Sequence, residues 1–135
     1  KNMVEILAAH RIPYAATASI AFPEDMIQKF DKAKKIKGGT RFLHVFATCP
    51  TGWRIPSDMS VKIARLAVQT NIFPLYEVKD GVDYNLNYKG DRPAFDYLKA
   101  QGRFKHLTDD DFNQIQNMVD EDWELLMRKM GKGFC

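Results

Sequence analysis

Arg41-Phe42-Leu43-His44-Val45-Phe46-Ala47-Thr48, followed at once by Cys49-Pro50-Thr51-Gly52-Trp53, is the stretch that decides the fold. Its first part is almost unbroken in apolar side chains, the pattern of a strand covered by helices on both faces. Its second part turns sharply at Pro50 and Gly52. Immediately upstream, Gly38-Gly39 ends a helical stretch in which Met26, Ile27, Phe30, Ala33 and Ile36 recur at helical spacing. Pro23 fits that helix's first position, and Glu24 and Asp25 suit its positive end. Before it, Tyr14 to Ser19 is a run of small residues that reads as a strand, and Pro13 stops a first helix over 2–10. The apolar side of that first helix is read as Met3, Ile6, Leu7 and His10. Strand, helix, glycine turn and strand make one βαβ unit. Cys49 stands at the carboxyl end of its second strand, the edge where open parallel sheets bind ligands.

Downstream, Ser57 is read as the cap of a helix to about Thr70, with Val61, Ala64, Leu66, Ala67 and Val68 on its apolar side. Phe73 to Lys79 and Tyr84 to Tyr88 read as a hairpin around Asp80-Gly81. A short helix opens at Pro93 and ends near Gly102. Thr108 with Asp111 resembles a capping box at the start of the last helix. That helix carries Phe112, Ile115, Val119, Trp123, Leu126 and Met130 on one stripe. The fold class is therefore α/β: a mostly parallel sheet with helices on both faces, then a hairpin and helices. The 135 residues are read as a single domain, 1–135, with an α/β core over about 1–78 and an extension over about 79–135.

Composition excludes several function classes. Hydrophobic residues make up 45%, enough for a core and against disorder. A net charge of +3 mixed with 17 acids argues against nucleic acid. The basic cluster Lys32, Lys34, Lys35 and Lys37 reads as a solvated helix face. No apolar run approaches the ~20 residues that cross a bilayer, so no membrane partner is expected. Two cysteines make no disulfide framework, and a cytoplasmic, reducing location is expected. The chain opens at Lys1 without an initiator Met and reads as starting in mid-fold.

Cys49 is the residue most suited to chemistry. One reading is a small buried hydrophobe, and position alone favours it. The other is a thiolate which the Pro50-Thr51-Gly52 loop, with its backbone N–H groups, points at a cluster or anion. A [4Fe–4S] centre wants four thiolates, so one cysteine holds no cluster by itself. Cys135 reads as incidental. His10, His44 and His106 form no metal pattern, and His44 reads as a hydrogen-bonded core residue. Trp53 either shields a cluster or packs the loop. Asp109, Asp110 and Asp111 read as capping and solvation. No catalytic constellation and no phosphate loop stand out.

Several stretches resemble the β subunit of multi-subunit pyruvate:ferredoxin oxidoreductase (pyruvate synthase), of the 2-oxoacid:ferredoxin oxidoreductase family. They are Ile12-Pro13-Tyr14-Ala15-Ala16-Thr17-Ala18-Ser19, Ala21-Phe22-Pro23-Glu24-Asp25, Cys49-Pro50-Thr51-Gly52-Trp53-Arg54, Ala64-Arg65-Leu66-Ala67-Val68, Pro74-Leu75-Tyr76-Glu77 and Gln101-Gly102-Arg103-Phe104. They follow the family's order across nearly the whole chain, and the Cys-Pro-Thr-Gly-Trp loop is the most specific. The resemblance implies the C-terminal half of the thiamine diphosphate-binding subunit. It also implies an anaerobic-type reaction in which a 2-oxoacid, pyruvate first, and coenzyme A give acyl-CoA, CO2 and electrons for ferredoxin. Thiamine diphosphate, Mg2+ and [4Fe–4S] clusters serve that reaction in the complete enzyme. In this resemblance Cys49 matches one thiolate ligand of the cluster nearest the thiamine, with Pro50, Thr51 and Gly52 as its cofactor-binding loop. The other ligands and the Gly-Asp-Gly motif belong to the first half of the subunit, so no cofactor and no turnover are expected of this fragment alone. Its implied partners are that remaining half, the α, γ and δ type subunits, and ferredoxin.

Two other readings stand beside this one. The same machinery could serve another 2-oxoacid, such as oxalate or a branched-chain acid; Pro-Thr-Gly-Trp leans toward pyruvate. A stand-alone, non-enzymatic α/β binding module would make Cys49 a core thiol and would close its own sheet edge.

Overall fold

The computed structural model describes residues 1–131, so Cys135 lies outside the described residues. The chain begins with helix α1 (Met3–Ala9), whose first turn is capped by the Asn2 side chain accepting from the Glu5 N–H at 3.2 Å. Strand β1 (Tyr14–Ser19) leads into helix α2 (Pro23–Lys35) and strand β2 (Arg41–Phe46). A single turn, α3 (Pro50–Trp53), follows the second strand, and a 3-10 turn at Ser57–Met59 opens helix α4 (Ser60–Gln69). Strands β3 (Tyr76–Lys79) and β4 (Asp83–Leu86) form the hairpin. Helix α5 (Ala94–Lys99), a 3-10 turn at Gly102–Phe104 and helix α6 (Asp109–Lys129) complete the order.

The α/β reading and the βαβ unit hold: β1 and β2 pair in parallel, from Tyr14 opposite Arg41 to Ser19 opposite Phe46. The sheet as a whole is mixed, in the order β2-β1-β3-β4, because β3 joins β1 antiparallel and β4 joins β3 antiparallel. The parallel character thus belongs to the βαβ unit, and the hairpin extends the sheet rather than following it as a separate layer.

Helices cover both faces. Ala15, Tyr76 and Val78 pack with Val4 and Ala8 of α1 and Leu126 of α6 on one face. Tyr14 and Ala16 pack with Ala33 of α2 on the other. A third cluster gathers α4 and α5 through Ile55, Ile63, Leu66, Ala94 and Leu98, with Phe112, Ile115 and Val119 of α6 against it. The α6 stripe therefore joins two clusters, as its periodicity implied, and the Thr108–Asp111 capping box is present.

Four details depart from the sequence reading. Strand β2, read as covered on both faces, is an edge strand of the described sheet with Val45 37% exposed, while β1 is buried along its whole length. Small side chains let both helical layers close onto β1; bulky ones at β2 bury themselves partly by packing on one another. On α1 the inward residues are Val4 and Ala8, and Met3, Ile6 and His10 are exposed. Polar anchoring decides that orientation: the Glu5 carboxylate accepts from the Tyr76 and Tyr84 hydroxyls at 3.3 and 3.2 Å. On α2, Ile27 and Phe30 face out, and Lys29 is buried instead. Ser57 begins the 3-10 turn rather than capping α4 with its side chain.

Candidate functional site

Cys49 follows β2 by three residues, at the carboxyl end of the parallel pair as expected. Its thiol is exposed. The buried-hydrophobe reading therefore falls. The chain leaves the strand here, and Pro50 starts α3 at a position that needs no N–H donor. The turn is closed by the Trp53 N–H donating to the Cys49 carbonyl at 2.9 Å and the Ile55 N–H donating to that of Pro50 at 3.1 Å. Pro50 is half-buried, and Thr51 and Gly52 are exposed beside the cysteine. A Cβ at Gly52 would stand 3.3 Å from the Cys49 Sγ, so the absent side chain leaves the thiol its position. The turn ends on Arg54 in the left-handed conformation, with φ of 54°.

What holds this turn comes from 48 residues further along the chain, counting from Arg54 to Gly102. The Gly102 N–H donates to the Arg54 carbonyl at 3.2 Å. The approach is so close that a Cβ at Gly102 would lie 2.8 Å from that oxygen. The Arg103 guanidinium lies over the Trp53 ring at 4.0 Å and over the Phe104 ring at 4.5 Å. Its Nε donates to the Gln101 Oε1 at 2.9 Å and its Nη2 to the Tyr97 hydroxyl at 3.3 Å. The Gln101 side-chain amide in turn donates to the Tyr97 carbonyl at 2.8 Å, and both residues are buried. Burial pushes the Tyr97 hydroxyl's pKa up, against the opposing charge and hydrogen bonding of Arg103 and Gln101.

Trp53 also packs on Phe46, with ring centroids 5.7 Å apart, and Phe46 continues to Phe73 and His44. Trp53 thus packs the loop. His44 stands half-buried among Phe42 and Phe73 rather than inside the core. His10 and His106 are exposed, and the three acids at 109–111 serve the helix start as read.

A second polar site, silent in the sequence reading, lies under α2. The buried Lys29 Nζ donates to the Thr17 carbonyl at 2.8 Å and to Asp25 at 2.7 Å. Burial lowers the Lys29 pKa, against the pull of Asp25. Nearby, Glu77 accepts from the Tyr14 hydroxyl at 2.6 Å and from Lys32 at 2.7 Å. Burial alone would raise the Glu77 pKa; hydrogen bonds from Lys32 and Tyr14, with the Lys32 charge, bring it down to about 2. Asp25 and Lys29 are four residues apart, with Lys29 on the ridge between Met26 and Ala33, and that spacing was the available signal.

Among the described residues, no three of His, Cys, Asp and Glu gather as a metal site. Cys49 is exposed and could give one thiolate, and a [4Fe–4S] cluster there would need three more. A cavity of about 420 Å³ lies between α1, α6 and Phe73. It is lined by Glu5, Thr17, His44 and Tyr76 and by no residue of the Cys49 turn. No helix among the described residues is long and apolar enough to cross a membrane.

The arrangement is that of an α/β chain which presents one thiol at a sheet's carboxyl edge and braces it from a distant segment. Comparison with known proteins gives the class. The chain is 52% identical over 132 residues to the ketoisovalerate oxidoreductase subunit VorB of Pyrococcus furiosus, covering 95% of this chain and 42% of that subunit. It is 47% identical over 128 residues to the pyruvate synthase subunit PorB of Methanocaldococcus jannaschii, covering 93% and 42% respectively. The corresponding subunit of Methanothermobacter marburgensis matches at 44% over 122 residues, covering 89% and 42%. No family model matches. The chain is therefore a homologue, along nearly its whole length, of the ketoisovalerate oxidoreductase subunit VorB and the pyruvate synthase subunit PorB, and the resemblance read from its motifs is borne out. It spans about 42% of the length of those relatives.

Proposed function

We propose that these residues form the C-terminal part of the β subunit of a 2-oxoacid:ferredoxin oxidoreductase, acting in the cytoplasm on pyruvate and coenzyme A. The observation that carries this reading is the identity of 52% and 47% to subunits named for such reactions, maintained over at least 93% of the chain. In the complete enzyme, thiamine diphosphate with Mg2+ supplies carbanion stabilisation, and [4Fe–4S] clusters supply the electron path to ferredoxin. The residues of this chain have other tasks. Cys49 gives a thiolate to the cluster nearest the thiamine, and Pro50, Thr51 and Gly52 form the cofactor-binding loop around it. The whole of 1–135 acts as one domain. Its core over about 1–78 completes the subunit's sheet, and the segment over about 79–135 packs against the α, γ and δ type subunits. The exposed thiol supports the first role; the exposed Met118 and Leu125 on α6 support the last.

A second reading, oxidation of a branched-chain 2-oxoacid, is favoured by the higher identity to a ketoisovalerate oxidoreductase subunit. The test uses the complete complex, purified without air, and follows coenzyme A-dependent reduction of ferredoxin. The proposal expects the highest kcat/KM with pyruvate. A higher value with 2-ketoisovalerate moves the substrate to the second reading. Reduction by none of these acids, nor by oxalate or 2-oxoglutarate, overturns the function.

A further inference from the structure

We infer that Arg103 is a positioning residue for Cys49, holding the cysteine's turn in the geometry that a cluster requires. The inference rests on the reading of Cys49 as a cluster ligand and deepens it. Trp53 is the fourth residue after Cys49, and its N–H closes the turn on the Cys49 carbonyl at 2.9 Å. Whatever fixes Trp53 therefore fixes the cysteine backbone. Phe46 supports the Trp53 ring from the strand. The guanidinium of Arg103 supports it from α5 and the turn that follows, at 4.0 Å.

Arg103 is itself immobilised. Its Nε is held by Gln101, its Nη2 by Tyr97, and Phe104 lies 4.5 Å from it. A planar cation pinned by two buried partners is a rigid brace, and a flexible ammonium is not. The neighbouring Gly102 N–H ties the far end of the turn at the Arg54 carbonyl. The turn is thus clamped at Trp53 and at Arg54, while the thiol between its strand and its helix is left exposed. An α3 of four residues has no stability of its own, since isolated short helices do not persist in water. Its geometry comes from these contacts.

The test uses the complete complex carrying Arg103→Met, Arg103→Lys or Cys49→Ala, with electron paramagnetic resonance of the reduced clusters and the rate of iron loss to a chelator. The expected result is that Cys49→Ala removes one cluster's signal. Both Arg103 variants should then shift that same signal and speed that cluster's loss by about tenfold, the scale of a desolvated cation–π contact. Arg103→Lys keeps the charge and the fold but not the planar brace, so it decides the matter where Arg103→Met fails to assemble. A signal and loss rate in Arg103→Lys equal to wild type overturn the inference while the ligand reading stands. Cys49→Ala with every cluster intact overturns both.

Discussion

Strands β1 and β2 are neighbours of equal length in one parallel pair, yet they are built in opposite ways. Strand β1 is made almost wholly of small side chains and is buried throughout. Strand β2 carries the bulky Phe42, Leu43, His44, Val45 and Phe46 and stands at the edge. Within this pair, the unbroken run of large apolar residues marks the edge strand and not the inner one. Strand β1 is an inner strand onto which two helical layers close, and close approach there is met by small residues. The edge strand uses its bulk differently, lining up an aromatic row that reaches Trp53 and the Cys49 turn.

The sharpest way to break this contrast is to remove the support under β1. Strand β3 pairs with β1 only as far as Ala16, and Lys29 takes up the carbonyl of Thr17 just beyond. Lys29→Met leaves that carbonyl and Asp25 without their cation. The expected cost is about 3 kcal/mol, read from urea denaturation. Next comes Ala16→Leu, which forces bulk between β1 and Ala33 of α2 and should cost about 2 kcal/mol in the same assay. Unchanged stability in either variant would mean that the central strand is not tightly enclosed.

Glu77 gives an effect confined to a defined pH window. Its pKa is lowered in the fold to about 2, from an ordinary 4.5. A depressed carboxylate contributes its full stability above its unfolded pKa and loses it as pH falls through the folded value. Denaturation midpoints should therefore fall between about pH 5 and about pH 2, and Glu77→Gln should flatten that part of the fall. An equal slope in the variant would assign the acid sensitivity to other groups. Smallest is the edge: Val45→Lys should change stability by less than about 0.5 kcal/mol. The same change should reduce concentration-dependent association of the 135-residue chain, seen by light scattering, because a charged edge resists strand addition.

The parts of the fold legible in the sequence were those fixed by neighbours along the chain. The hairpin at Asp80-Gly81, the Thr108–Asp111 box and the α6 stripe are local matters of turn chemistry, capping and period. Sheet order is not local. Nothing near Tyr76 announces that β3 lies antiparallel against β1, and so nothing announced that β2 would be left at the edge. Lys29 was not singled out for a related reason: lysines are ordinarily exposed, whereas its place between Met26 and Ala33 put it on the buried ridge. At the candidate site, Cys49 and its loop stood out because proline, glycine and cysteine follow one another after a strand. The brace was present as Gln101-Gly102-Arg103-Phe104, but its purpose appears only once the fold brings it to Trp53.

The proposed role of this turn is to present Cys49 as a cluster ligand. The most direct measurement is the iron content of the complete complex, purified without air, with and without Cys49→Ala. The expected result is the loss of about four iron atoms per copy of this chain, together with one cluster's paramagnetic signal. Full iron content and an unchanged spectrum in the variant would contradict it.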